Sequence, residues 1–144
     1  MLHRTLDTFP MNGRKPHYDV SAGILSERGK ILITRRPEGT HLEGLWEFPG
    51  GKQEDGETPE ACLRREMMEE LGIRVRLGRP LATIDHAYAS KSVTLHFFLC
   101  TREEGRPIAR QGQAIRWVTV QELGALPFPP PDLKVIDILM NIFK

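Results

Sequence analysis

The sequence predicts an α/β fold, an α/β/α sandwich in a single domain, and three observations carry that prediction. First, Leu63, Met67 and Leu71 recur every four residues between a Thr58-Pro59-Glu60 start and a Gly72 stop, the pattern of an amphipathic helix. Second, Val93 to Cys100 is almost continuously apolar, with Val93, Leu95, Phe97 and Leu99 on one face and His96 and Phe98 on the other. A strand with both faces apolar is covered on both sides. Third, the chain closes on another helix, Asp132 to Phe143, behind the rigid connector Phe128-Pro129-Pro130-Pro131. Strands with helices before and behind them make a sandwich.

The remaining elements fall between these. Val20 to Leu25 and Ile31 to Arg36 read as a hairpin across residues 26–30, with Gly29 at the bend. Pro37 to Gly44 is a loop. Leu45 to Phe48 is a short aromatic strand closed by Pro49-Gly50-Gly51. Lys52 to Glu57 is polar and turns at Asp55-Gly56. Thr58 caps the following helix, and Pro59 takes its first position, where a missing N–H costs nothing. Gly72 ends it. Strands are expected at Ile73–Leu77 and Leu81–His86, a charged turn at Arg102–Pro107 and a strand at Ala114–Val118. Val120 to Leu123 makes a single helical turn capped by Thr119 and stopped by Gly124.

Bulk properties exclude several classes. A chain of 144 residues suits one domain with a real core. A formal net charge of +1 is too small for a nucleic-acid or membrane field, so no stable nucleic-acid partner and no membrane are expected. No apolar run reaches the roughly 18 residues of a membrane span, and the N-terminus lacks the apolar core of a signal peptide. Cys62 and Cys100 sit in apolar patterns, which fits a reduced, cytoplasmic setting better than a disulfide framework. Residues 1–17 read as a loosely held extension, with Met11 a second candidate start, ahead of a domain at 18–144. The expected assembly is a monomer or a homodimer.

The chemistry lies on the first helix. Glu66, Glu69 and Glu70 are spaced i, i+3, i+4 and project from one face beside the apolar stripe. Arg65 can pair with Glu69, but Glu66 meets only Glu70 at that spacing. A dense, under-compensated carboxylate cluster suits a hard cation such as Mg²⁺ or Mn²⁺, which takes oxygen ligands and leaves positions for water and phosphate. The alternative is a solvated acidic face. Two features favour the cation. Gly50-Gly51 precede the helix and let backbone approach a ligand closely, and Glu57 stands just ahead of it.

The spacing is specific. Gly51, five residues, Glu57, seven residues, Arg65-Glu66-Met67, one residue, Glu69-Glu70, one residue and Gly72-Ile73 reproduces the Nudix box without departure. With seven identities and two apolar positions fixed, chance occurrence is on the order of 10⁻⁷ at average composition, so the match is not accidental. Thr34-Arg35-Arg36, the run Glu47-Phe48-Pro49-Gly50-Gly51-Lys52 and the Phe128-Pro-Pro ending extend the resemblance to the MutT-like branch of Nudix hydrolases over roughly residues 18–142. The resemblance implies a mixed sheet in the sandwich, and a Mg²⁺-dependent reaction in which water cleaves a nucleoside triphosphate into monophosphate and pyrophosphate. It implies that Glu66, Glu69 and Glu70 bind the metal with the Gly50 carbonyl, with Mn²⁺ a possible substitute. Arg65 would orient the carboxylates, Gly51 and Glu57 would support the loop, and Glu66 is the first choice of general base. A cluster without metal should hold one raised pKa through like-charge repulsion.

Outside the box the reading is more open. One departure stands out: where MutT-like enzymes bring a further glutamate to the metal, this chain has Gln111. An amide brings no charge, so weaker metal binding or a smaller kcat follows, with Glu103 and Glu104 as candidate substitutes. For the substrate, the resemblance favours Arg36 over Arg35 at phosphate or sugar. Phe48 either stacks on a base or packs the core, Trp46 reads as core, and Lys52 either meets phosphate or is solvated. Tyr88 and Lys91, in an Ala-Ser-Lys-Ser loop, are placed to close over the nucleotide, and His41 lies in a loop near the pocket. Asp132 either caps the last helix or stands where MutT-like enzymes read the base with asparagine. Ionised, it only accepts hydrogen bonds, which suits the donor groups of cytosine, adenine or guanine-type bases, as in CTP pyrophosphohydrolase relatives. An oxidised purine triphosphate, 8-oxo-dGTP, fits too. Two other readings stand beside this one: a Nudix hydrolase of a nucleotide sugar, dinucleoside polyphosphate or RNA 5′ end, and a non-catalytic nucleotide sensor.

Overall fold

The computed structural model describes residues 15–40 and 43–143. The elements run β1 (His17–Glu27), β2 (Lys30–Arg35), β3 (Trp46–Glu47), β4 (Gly50–Lys52), α1 (Pro59–Leu71), β5 (Arg74–Ala87), β6 (Ser92–Glu104), β7 (Ala114–Val118), α2 (Val120–Leu123) and α3 (Pro130–Ile142). The strands form one mixed sheet with β1 as its axis. β1 runs parallel to β6 from His17 to Leu25. Its other edge is shared by two antiparallel partners, β4 against Val20–Ala22 and β2 against Ser26–Glu27. Gly23 lies between these two ladders, and its N–H donates to the Pro49 carbonyl at 2.8 Å. The glycine loop thus enters the sheet at this split. β5 pairs with β6, and β3 and β7 pair with β2.

The expected hairpin forms through Arg28-Gly29, both in the left-handed region (φ 51° and 78°), the turn that matches strand twist. Alternation along the strands splits the core in two. Ala22, Ile24, Ile31, Ile33 and Phe97 face α2 and α3, with Leu123, Val135 and Leu139. Leu25, Leu32, Phe98 and Cys100 face α1, with Leu63, Met67 and Leu71. The apolar-on-both-faces strand is therefore covered on both sides, as its sequence predicts. Leu63, Met67 and Leu71 are each fully buried, contributing roughly 1.5–3 kcal/mol apiece. Thr58 Oγ1 accepts from the Ala61 N–H at 3.1 Å. Gly72 ends the helix at φ 70°.

Four expectations change. Residues 73–77 and 81–86 belong to one strand, because a bulge around Gly78–Pro80 absorbs the irregularity without ending the ladder. Arg102–Glu104 are not a turn; they extend β6 opposite Arg74 and Val75, and the chain turns at Gly105 (φ 94°). Gly50–Lys52 is a strand, not only a loop. The last helix starts at Pro130 with Pro129 at the cap position, which places Asp132 inside its first turn and rules out the capping role. Of the expected N-terminal extension, residues 1–14 lie outside the described residues, as does His41; His17 already begins β1. Both cysteines are free and buried. Among the described residues no helix is long and apolar enough to cross a membrane.

Candidate active site

The site is built where β4 lies against α1. Ser21 Oγ on β1 donates to the Pro59 carbonyl at 2.8 Å and fixes the start of the helix against the sheet. Both glycines of β4 are required by space. A Cβ at Gly50 would stand 1.9 Å from the Ser21 carbonyl oxygen, and one at Gly51 would stand 2.3 Å from the Glu66 carboxyl carbon. Gly51 therefore clears the volume that the Glu66 carboxylate occupies.

Arg65 ties the pieces together. Its Nε donates to Glu57 Oε2 at 2.6 Å and its Nη2 to Glu57 Oε1 at 3.0 Å. Nη2 also reaches the Lys52 carbonyl at 2.9 Å. Nη1 reaches Glu66 at 2.9 Å and Glu69 at 3.2 Å. Glu57 in turn accepts from the Glu54 N–H at 2.9 Å. This pairing holds the Glu57 carboxyl below the usual carboxylate range, the Arg65 hydrogen bond being the main cause. Glu57 thus anchors the loop, as its position in the box implies.

The three helix carboxylates differ in environment. Glu66 is buried, Glu70 half-buried and Glu69 exposed. Burial raises the pKa of Glu66, against the pull of Arg65. Glu70 is raised further, by burial first, then by the Glu47 and Glu66 carboxylates. Two acids are thus raised instead of one, and burial outweighs the like-charge repulsion expected from the spacing. Among the described residues, no three carboxylate, imidazole or thiol side chains already converge on one point. Glu66 and Glu69 both turn toward Arg65 Nη1 instead. The donor set still fits a hard dication: oxygens only, under-neutralised, beside a glycine strand that admits no side chain.

A second acidic group lies on the other flank. Glu47 on β3 pairs with Arg36 at 2.7 Å, and its own pKa is raised by burial. Its charge acts on Glu70 and also on Asp132. Asp132, buried in the first turn of α3, is pushed up to about 8 by burial first and by Glu47 second, against Arg36. Burial thus favours the protonated carboxyl, which both donates and accepts, where the sequence reading took it as ionised and accepting only. Tyr88 feels Asp132, Arg36 and Glu47 in turn. Glu47, a residue to which sequence gave no role, thus pairs with Arg36 and its charge acts on Glu70, Tyr88 and Asp132. A carboxylate between two aromatic residues, Trp46 and Phe48, was the available signal.

The other candidates separate. Phe48 stacks on Phe128 (5.3 Å between centroids) and stands edge-on to Phe97 (6.2 Å), so its contacts are those of the core. Trp46 packs against the same core, with the Arg35 guanidinium 5.9 Å from its ring. Lys52 Nζ lies 4.1 Å from the Tyr18 ring centroid. Tyr88 meets His86 edge-on at 4.6 Å, and its N–H donates to the Lys91 carbonyl at 2.7 Å, closing the β5–β6 loop. Glu103 and Glu104, the candidate substitutes for the carboxylate missing at Gln111, pair with Arg74 and Arg76 on β5. Gln111 itself sits between two residues that hold the Glu70 carbonyl, the Arg110 N–H at 3.0 Å and Gln113 Nε2 at 3.2 Å.

The fold and this site define a class: the chain belongs to the NUDIX domain family, whose model matches residues 20–137. It is a hydrolase of that family. More particularly, it is 40% identical over 123 residues to the 8-oxo-dGTP diphosphatase of Haemophilus influenzae, covering 85% of this chain and 90% of that protein. It is 34% identical over 124 residues to the CTP pyrophosphohydrolase of Escherichia coli, covering 86% and 92%. Among solved structures, that of the E. coli ORF135 protein superposes with a TM-score of 0.77 at 31% identity, over 93% of this chain and 95% of that one.

Proposed function

We propose that this chain is a Mg²⁺-dependent nucleoside triphosphate pyrophosphohydrolase acting on oxidised or cytidine-type nucleotides. The observation that carries it is the Arg65-centred carboxylate cluster on α1 facing a glycine strand. Glu66, Glu69 and Glu70, with the Gly50 carbonyl, would hold the cation, with Mn²⁺ able to substitute. Bound there, the metal neutralises phosphate charge and lowers the pKa of water. Glu66 takes the proton of the attacking water, Arg65 keeps the carboxylates aligned, and Gly51 and Glu57 keep the loop clear and fixed. Water adds to phosphorus as the anhydride P–O bond breaks, leaving monophosphate and pyrophosphate.

Substrate selection belongs to the other flank. Arg36 and Lys52 meet phosphate or sugar, Tyr88 covers the nucleotide, and Asp132 reads the base. Phe48 supports that wall from within. The H. influenzae and E. coli relatives are named for 8-oxo-dGTP and CTP, and a protonated Asp132 can serve either base, since each presents donors and acceptors. With two free buried cysteines and a net charge of +1, the domain at 18–144 acts in the cytoplasm as a monomer or homodimer, without a stable nucleic-acid partner.

A substrate panel tests this reading. The protein is incubated with Mg²⁺ and normal and oxidised nucleoside triphosphates, nucleotide sugars and dinucleoside polyphosphates. The expected result is a preference for triphosphates, with 8-oxo-dGTP or a cytidine triphosphate leading. Turnover confined to the other diphosphates overturns it.

A further inference from the structure

We infer that Gln113 is a positioning residue for the cation-binding end of α1, its side-chain amide clipping the β6–β7 loop at Gln111 to the main chain of Glu70. The inference rests on the reading of Glu69 and Glu70 as cation ligands and goes one residue beyond it.

The end of α1 needs such a hold. The last carbonyls of a helix lack partners within it, and its C-terminus carries a partial negative charge. α1 brings Glu66, Glu69 and Glu70 toward that end and has no basic residue in its last turn. Like charges there favour fraying, and fraying would displace Glu69 and Glu70 first. The Gly72 N–H reaches the Met67 and Met68 carbonyls, leaving those of Glu70 and Leu71 to partners outside the helix.

The loop between β6 and β7 supplies those partners. The Ile108 N–H donates to the Leu71 carbonyl at 3.0 Å and the Arg110 N–H to the Glu70 carbonyl at 3.0 Å, while Arg110 Nη1 reaches the Met68 carbonyl at 2.9 Å. Gln113 completes the clasp with both ends of its amide. Nε2 donates to the Glu70 carbonyl at 3.2 Å, and Oε1 accepts from the Gln111 N–H at 2.9 Å. Gly112, in the left-handed region at φ 76°, makes the bend that brings Gln113 back to Gln111. Glu70 is thereby held at two points, its carbonyl by this loop and its carboxyl by the backbone of Gly50 in β4. Holding the carbonyl keeps the side chain aimed at β4, beside the Gly50 carbonyl of the proposed cation site. Gln113 is neutral, so it fixes the turn without competing with the cation.

Calorimetric titration of the protein with Mn²⁺ alone tests the inference. Gln113→Met keeps the size and neutrality of the side chain and loses both bonds. It should raise the Mn²⁺ Kd about threefold to tenfold. The Mg²⁺ concentration for half-maximal activity should rise by a similar factor, with kcat at saturating Mg²⁺ within about twofold. Thr119→Ala breaks the capping box of α2, on the other side of the sheet. It should lower the melting temperature comparably and leave the Kd at its wild-type value. A wild-type Kd in Gln113→Met, or an equal rise in Thr119→Ala, overturns the role of Gln113 and leaves the cation site standing. No Mn²⁺ binding by the wild type overturns the cation reading and the inference with it. Should Gln113→Met not fold, Gln113→Asn, one methylene too short to span both partners, serves in its place with the same expectations.

Discussion

Arg65 grips both oxygens of Glu57, at 2.6 Å through Nε and 3.0 Å through Nη2, so the helix and the loop eight residues before it are locked by one fork. The same guanidinium still reaches Glu66, Glu69 and the Lys52 carbonyl. Such a planar multi-donor fork has no lysine equivalent. Arg65→Lys should lower kcat about 10- to 100-fold and stability by about 1–3 kcal/mol. Kinetics and chemical denaturation of the variant check both; wild-type kcat would show that the fork does not align the carboxylates.

Glu69 is exposed and, among the described residues, held through Arg65, so its removal should leave the fold intact. As a charged ligand near developing negative charge it matters far more to rate. Glu69→Gln should lower kcat at least ~100-fold with little change in melting temperature. Near-normal turnover would place the cation elsewhere.

Gln111 hangs between two residues that clasp the Glu70 carbonyl, close to the end of the carboxylate helix. Gln111→Glu should restore the missing charge, lowering the Mg²⁺ concentration for half-maximal activity several-fold. A magnesium titration of activity decides it, and an unchanged or higher requirement would show that this loop does not reach the metal.

Asp132 carries a pH prediction. Burial and the Glu47 charge push its carboxyl up to about 8 in the fold, against about 3.9 in an unfolded chain. Below pH ~4 both states are protonated. As pH rises the unfolded chain loses its proton first, so stability falls between about pH 4 and 8 and the loss is complete above. An amide has no such penalty. The stability advantage of Asp132→Asn over the wild type should therefore grow by roughly 2–5 kcal/mol between pH 5 and pH 8.5. Base preference should be similar at pH 7, where both side chains donate and accept, and diverge above pH 8. A pH-independent difference in stability would mean that Asp132 is ionised throughout.

Sequence revealed the parts of the site that depend on local spacing. Helix α1, its Thr58 and Gly72 ends, its buried stripe and its three carboxylates follow from a periodicity of 3.6 and from capping chemistry. The two-sided burial of β6 was legible for the same reason. What sequence could not show depends on pairing between distant segments. Glu47 gains its importance from Arg36 just after β2, Glu70 on α1 and Asp132 on α3. Tyr18 meets Lys52 only because β1 and β4 are in register. The protonation of Asp132 depends on burial in the first turn of α3, which a sequence does not quantify.

The most direct test of the central claim is ³¹P NMR of the products formed from the preferred nucleoside triphosphate, with Mg²⁺ and with excess chelator. Monophosphate and pyrophosphate in equal amounts, formed only with Mg²⁺, are predicted. Diphosphate with orthophosphate, or equal rates under chelation, would contradict it.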